Sequence, residues 1–244
     1  MMLLNAAANF DPQDYVGFTF FTGYMAMMAA TVFFLLERGR VSDAWKSSLL
    51  VSGLITGIAA VHYFYMRDYW MATGQSPVVL RYIDWTLTVP LMCVEFYLIT
   101  KKAGGTMSLL WKLIAASVAM LVLGYIGEAV YVGEGYATQQ WVYGALSGAA
   151  YFYILWLVWK GEVAQLAANA GPNVATAVRH LRNFVLVGWA IYPIGYILGT
   201  HGGLFGIDMG HDASSLNLFY NLADAVNKIG FGLVIYALAI KDNK

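Results

Sequence analysis

The chain has 244 residues, with 14 Lys+Arg against 14 Asp+Glu, 11% charged and 60% hydrophobic residues, and a mean hydropathy of +0.61. Soluble domains carry about 25% charged residues, so the polar surface here is too small to cover a water-soluble globule, and the sequence reads as a membrane protein in contact with lipid. Zero net charge without a Lys/Arg run excludes a nucleic-acid partner, whose phosphates need a basic face.

A lipid-crossing helix needs about 20 largely apolar residues. Residues 1–9 lack the basic region of a secretory signal and read as a short tail. Polar clusters then divide the chain into seven apolar stretches, at 16–36, 49–66, 78–100, 109–127, 140–159, 184–198 and 216–240. Such continuous runs exclude a transmembrane barrel, whose segments alternate. The expected fold class is therefore all-α, a seven-helix transmembrane bundle forming one domain over residues 1–244.

Charge distribution orients the bundle. Arg38, Arg40 and Lys46 fall in the first loop, Lys101, Lys102 and Lys112 around the third, Lys160, Arg179 and Arg182 around the fifth, and Lys241 and Lys244 after the last helix. The opposite loops hold Arg67 together with Asp68, Glu128, Glu134, Asp208 and Asp212. Cytoplasmic loops carry the Lys/Arg excess, so the N-terminus is expected outside and the C-terminus inside, which requires an odd number of spans. Gly202, Gly203, Gly206 and Gly210 mark a turn-rich stretch expected to form a small extracellular ribbon. His201 and His211 lie there too, but two histidines without further ligands define no metal site. His180 reads as a cytoplasmic surface residue, and Cys93, alone in an apolar run, as packing.

Five ionisable residues remain inside the spans: Arg81, Asp84 and Glu95 on the third, Asp224 and Lys228 on the seventh. Buried charge is costly and defaults to function. Arg81, Asp84, Thr88 and Glu95 fall at i, i+3, i+7 and i+14, one face of a helix. At a rise of ~1.5 Å per residue, Asp84 and Glu95 lie roughly 16 Å apart along the axis, too far for a paired-carboxylate dyad. Asp224 and Lys228 are one turn apart and share a direction. Two readings fit these charges. One is a set of structural ion pairs; the other is a lysine suited to form a Schiff base with a carbonyl ligand, with Asp84 and Asp224 as its anions and Arg81 balancing the second negative charge.

The runs Arg81-Tyr82-Ile83-Asp84-Trp85-Thr86-Leu87-Thr88-Val89-Pro90, Trp189-Ala190-Ile191-Tyr192-Pro193 and Asn221-Leu222-Ala223-Asp224-Ala225-Val226-Asn227-Lys228, with Thr31-Val32-Phe33-Phe34 and His62-Tyr63, resemble the microbial rhodopsins of the proteorhodopsin and xanthorhodopsin group. The resemblance extends over all seven spans. It implies all-trans retinal on Lys228 as a protonated Schiff base, with Trp85, Trp189 and Tyr192 around the polyene and Pro193 beside them. It further implies a light-driven outward proton pump rather than an enzyme, with Asp84 ionised in the dark as acceptor and Glu95 protonated as cytoplasmic donor. His62 is expected to hydrogen-bond Asp84. Phe21 stands where the family has a first-helix Trp that reaches this histidine from a neighbouring protomer, so no inter-subunit relay is expected. Glu128 is favoured over Glu134 as the release group.

Met92 occupies a colour-determining position and, being apolar, implies green absorption. Gly144 matches the glycine that in the xanthorhodopsin-like branch opens a lateral window for a hydroxylated carotenoid antenna, although Gly144 and Gly148 also form a G-x-x-x-G packing pair. The resemblance places the protein in the cell membrane, a bacterial inner membrane, as a ring of five or six copies. A photosensory protein signalling to a transducer is the main alternative, and Glu95 weighs against it because a sensor needs no fast donor. Sodium and chloride pumps alter the positions held here by Asp84, Thr88 and Glu95.

Overall fold

The computed structural model describes residues 13–200 and 213–242; the expected ribbon, His201, His211, Asp208, Asp212 and the N-terminal tail lie outside them. Among the described residues, seven helical stretches are long and apolar enough to cross a membrane. The helices are α1 (Tyr15–Glu37), α2 (Asp43–Thr73), α3 (Val78–Thr100), α4 (Met107–Tyr125), α5 (Ala137–Trp159), α6 (Glu162–Asn169), α7 (Pro172–Asn183), α8 (Ile191–Gly199) and α9 (Ala213–Asp242). π-helical turns at Ile126–Val130 and Phe184–Gly188 extend α4 and join α7 to α8. The fifth crossing stretch includes α6, and the sixth comprises α7 and α8.

The sequence locates every crossing but not the helix lengths. The stretch expected at 49–66 is a helix of 31 residues, and the one expected to begin at 184 starts at Pro172. Counting apolar residues finds only the part that must shed water, whereas a helix continues through polar residues until its backbone is stopped. For α2 the stop is Gly74, left-handed at φ 65°, whose N–H returns to the Trp70 carbonyl at 2.7 Å. For α7 the start is Gly171 at φ 93° followed by Pro172 in the first turn. The unpredicted α6 lies in what reads as the long fifth connection, and its Glu162 pairs with Lys112 of α4.

Polarity is inverted relative to a soluble bundle. Large apolar side chains such as Leu36, Val61, Phe152 and Val187 are exposed, as lipid contact allows, while Arg81, Asp84, Thr88, Glu95, Asp224 and Lys228 are buried. Asp14 caps α1 by accepting from the Gly17 N–H at 2.8 Å, and the same carboxylate accepts from the Trp70 indole, tying the start of α1 to the end of α2. Cys93 is buried and His180 exposed.

Candidate functional site

The expected face of α3 forms. Arg81, Asp84, Thr88 and Glu95 are all at most 1% exposed, while Val79, Ile83 and Leu87 on the opposite face are about half exposed. On α9, Asp224 and Lys228 point at that column. The Lys228 Nζ lies 2.6 Å from Asp84 Oδ2 and 3.0 Å from Asp224 Oδ2, with the lysine 3% exposed. A buried ammonium held by two carboxylates leaves one surplus negative charge, and Arg81 lies on the same face as Asp84 to balance it.

The two carboxylates are not equivalent. Asp224 accepts from the Tyr63 hydroxyl at 2.8 Å, the Tyr192 hydroxyl at 2.5 Å and the Trp85 indole at 3.1 Å, as well as from Lys228. Among the described residues the Asp84 carboxylate accepts from Lys228 alone, and its Oδ1 has no hydrogen-bond partner. The expected bond from His62 is not made. The imidazole Nδ1 stands 3.8 Å from Asp84 Oδ1 and instead engages the Ile58 carbonyl at 2.9 Å, because an acceptor one turn back on the same helix is the nearer partner. Thr88 likewise donates to the Asp84 backbone carbonyl at 2.9 Å rather than to the carboxylate. Arg81 is held by neutral groups: its Nη2 donates to Asn217 at 2.6 Å and to Asn221 at 2.8 Å, and its guanidinium lies 5.3 Å from the Phe20 ring and 5.2 Å from the Tyr220 ring. The sequence reading gave no part to Asn217, Tyr220 or Tyr63; their only signal was buried polarity on apolar helices.

Glu95 is isolated from this cluster. It is fully buried and accepts from the Ser52 hydroxyl at 3.2 Å, and among the described residues its Oε2 has no hydrogen-bond partner. Glu128, on the π-helical turn after α4, accepts from the Tyr82 hydroxyl at 2.7 Å and is half-buried, so it is not a freely solvated loop acid.

A cavity of about 700 Å³ is walled by Trp85, Val89, Trp189, Tyr192 and Pro193 at one side and by Gly144, Gly148 and Phe152 of α5 at the other, with Glu128 and Tyr82 among its few polar groups. Its volume and aromatic walls suit a long apolar ligand. Lys228 stands behind this wall: Trp85 and Tyr192, which line the cavity, are the residues that bond its neighbour Asp224. Met92 is buried in the core at 1% exposure and Gly144 lies on the cavity. A Cβ at Gly144 would stand 2.5 Å from Tyr196 Cε1, so the glycine seats that ring, whereas Gly148 faces open space.

A lysine clasped by two buried acids among seven apolar helices, next to an aromatic-walled cavity, defines a multi-pass membrane protein built to hold an apolar group at an amine. Residues 14–242 match the bacteriorhodopsin-like protein family, and the chain belongs to it. The green-light absorbing proteorhodopsin of Gamma-proteobacterium EBAC31A08 is 47% identical over 234 residues, 96% of this chain and 90% of that protein. The crystal structure of the blue light-absorbing proteorhodopsin from Med12 is 43% identical with a TM-score of 0.76, covering 94% of this chain and 100% of that one. Xanthorhodopsin, described as a light-driven ion pump with dual chromophore, is 30% identical with a TM-score of 0.82 over 95% of both chains.

Proposed function

We propose that the protein is a light-driven outward proton pump with all-trans retinal joined to Lys228. The observation that carries this reading is the Lys228 Nζ between Asp84 and Asp224, with a third carboxyl, Glu95, isolated farther along the same face of α3. Membership of the family, the proteorhodopsin relatives and the likeness to a light-driven ion pump support it. The residues fit the chromophore: Trp85, Trp189, Tyr192 and Pro193 wall a cavity of sufficient volume beside the lysine's counter-ions. Retinal, when bound, supplies light absorption and an isomerisation that frees the proton on the lysine nitrogen. Asp84 receives it, since its Oδ2 is within direct transfer reach and it lacks the neutral donors that hold Asp224 as an anion. Glu95, buried without a cation, starts as the acid and returns a proton to the lysine from the other end. With the Lys/Arg-rich end cytoplasmic, this sequence moves one proton outward. We place the protein in a bacterial inner membrane, as a ring of five or six copies, on the resemblance alone.

The test is illumination of retinal-loaded vesicles or cells with pH recording. Outward acidification abolished by a protonophore is the expected result. A light response without a pH change would replace the pump with a photosensor.

Xanthorhodopsin's dual chromophore, taken with the cavity reaching Gly144 and Gly148, supports a second ligand here, a hydroxylated carotenoid lying against α5. Gly144→Trp has to displace Tyr196 and fill that space, so it is expected to abolish carotenoid binding and the blue component of the pumping action spectrum while retinal still binds. Carotenoid binding that survives this substitution would make Gly144 a packing residue for Tyr196.

A further inference from the structure

Three glycines key the sixth crossing stretch to α9. A Cβ at Gly188 would overlap the Asn227 carboxamide, with its Cγ at 2.7 Å; one at Gly195 would meet Tyr220 Cζ at 2.6 Å; one at Gly230 would meet Phe184 Cζ at 2.7 Å. The pairs 188 with 227 and 195 with 220 are each seven residues apart on antiparallel helices, so they are two notches of one register. The Asn227 notch is the polar one. Its carboxamide is 3% exposed, immediately precedes Lys228, and lies against the last residue of the π-helical turn Phe184–Gly188. Its Nδ2 donates to the Tyr192 hydroxyl at 3.4 Å, and Tyr192 donates to Asp224 Oδ1 at 2.5 Å.

A phenol has one proton to give. With Asn227 donating to the Tyr192 oxygen, that proton is directed to Asp224, and a donor on the phenol oxygen strengthens the bond the phenol makes onward. We propose that Asn227, seated on Gly188, is a positioning residue for the counter-ion Asp224, acting through Tyr192. The inference rests on the pump reading above but concerns a pair of residues to which that reading gives no part. Only glycine at 188 leaves room for the amide, so the backbone of the π-helical turn and the counter-ion are set by one contact.

Losing Asn227 weakens the Tyr192 bond and leaves more of the Asp224 charge on the lysine side, which moves absorption to shorter wavelength. The experiment compares the absorption maximum and dark-state recovery of retinal-loaded wild type with Asn227→Ala, Gly188→Ala, their double variant, and Asn227→Ala added to Tyr192→Phe. The two single variants are expected to shift the maximum in the same direction. The double variant should add nothing to Asn227→Ala, and Asn227→Ala should shift nothing further once the Tyr192 hydroxyl is gone; independent sites would add. If Gly188→Ala alone does not form pigment, recovery of pigment in the double variant supports the seat and its failure overturns it. An unshifted Asn227→Ala pigment, or additive shifts, would overturn the proposal while wild-type acidification still upholds the pump. Wild type that colours but does not acidify would reject the pump reading instead.

Discussion

Replacing Glu95 by Gln tests the donor at the point where distance makes a donor necessary. Asp84 and Glu95 are separated by eleven residues of α3, roughly 16 Å at the helical rise, against a direct transfer reach of about 3 Å. On the pump reading, a proton from Glu95 therefore reaches the lysine by relay rather than by direct transfer. Gln keeps the shape, and its carbonyl still accepts from Ser52, so the pigment should form with a stability change under ~1 kcal/mol. Loss of a positioned acid costs on the order of 10²-fold at the low end of its usual range, or about 2.7 kcal/mol on the barrier to reprotonation. Flash photolysis of the purified pigment reads this as slowed recovery of the dark state. The pH dependence sharpens the test: with Glu95 present recovery is nearly independent of bulk pH, whereas in the variant the proton comes from solution and the rate should fall about tenfold per pH unit by mass action. Recovery as fast as wild type and flat with pH would remove Glu95 from the mechanism.

Asp84→Asn should move absorption to the red and abolish light-driven acidification, because the ammonium loses the carboxylate 2.6 Å away and the proton loses its acceptor; a variant that still pumps would shift the role to Asp224. His62→Asn should move the midpoint of the Asp84 spectral titration, since the imidazole lies 3.8 Å from the carboxylate even without a hydrogen bond; an unchanged midpoint would leave His62 as a helix-packing residue bonded to Ile58. The wild-type pigment should absorb in the green, and Met92→Gln should move it toward the blue by placing a polar amide in a buried apolar position; a blue-absorbing wild type would contradict the reading of Met92.

The crossing helices and the charged column were legible because both depend on what the membrane forbids. Arg81, Asp84, Glu95, Asp224 and Lys228 stand out in apolar runs, and helical periodicity alone puts the first three on one face. What each side chain touches was less legible. The histidine expected on Asp84 turned to Ile58, a choice set by local backbone geometry that residue type does not encode. The clasp on Asp224 comes from three helices, through Tyr63, Trp85 and Tyr192, and no spacing along one helix reveals it. Gly144 reads as a window or, with Gly148, as a packing pair, while Gly188, Gly195 and Gly230 have no part in the sequence reading; each of 144, 188, 195 and 230 receives a particular side chain from another helical segment. Complementarity of this kind exists only between segments.

On the proposed pump reading, the direction of transport follows from what lies on either side of the lysine. Toward the Arg81 end, polar groups follow one another closely: Asp84 and Asp224, then Arg81 with Asn217 and Asn221, then Ser76, which donates to Asn217 at 3.1 Å. On the Glu95 half of α3, Met92, Cys93 and Phe96 are buried, and Glu95 itself accepts from Ser52. The Phe96 and Phe231 rings meet edge to face at 5.7 Å, and Phe231 in turn meets Phe184, which is seated on Gly230. A proton passes by short hops between polar groups, so the carboxylate already in contact with the nitrogen is the nearest acceptor. The lysine nitrogen is in contact with the Asp84 and Asp224 carboxylates, and among the described residues no hydrogen bond joins it to Glu95. On the proposed pump reading, a proton leaving the nitrogen goes to Asp84, and its replacement comes from Glu95, about 16 Å from Asp84 along α3. On that reading, release to Asp84 comes before uptake from Glu95, and transport runs from Glu95 toward Asp84, because the contact of the lysine nitrogen to Asp84 is already made at 2.6 Å.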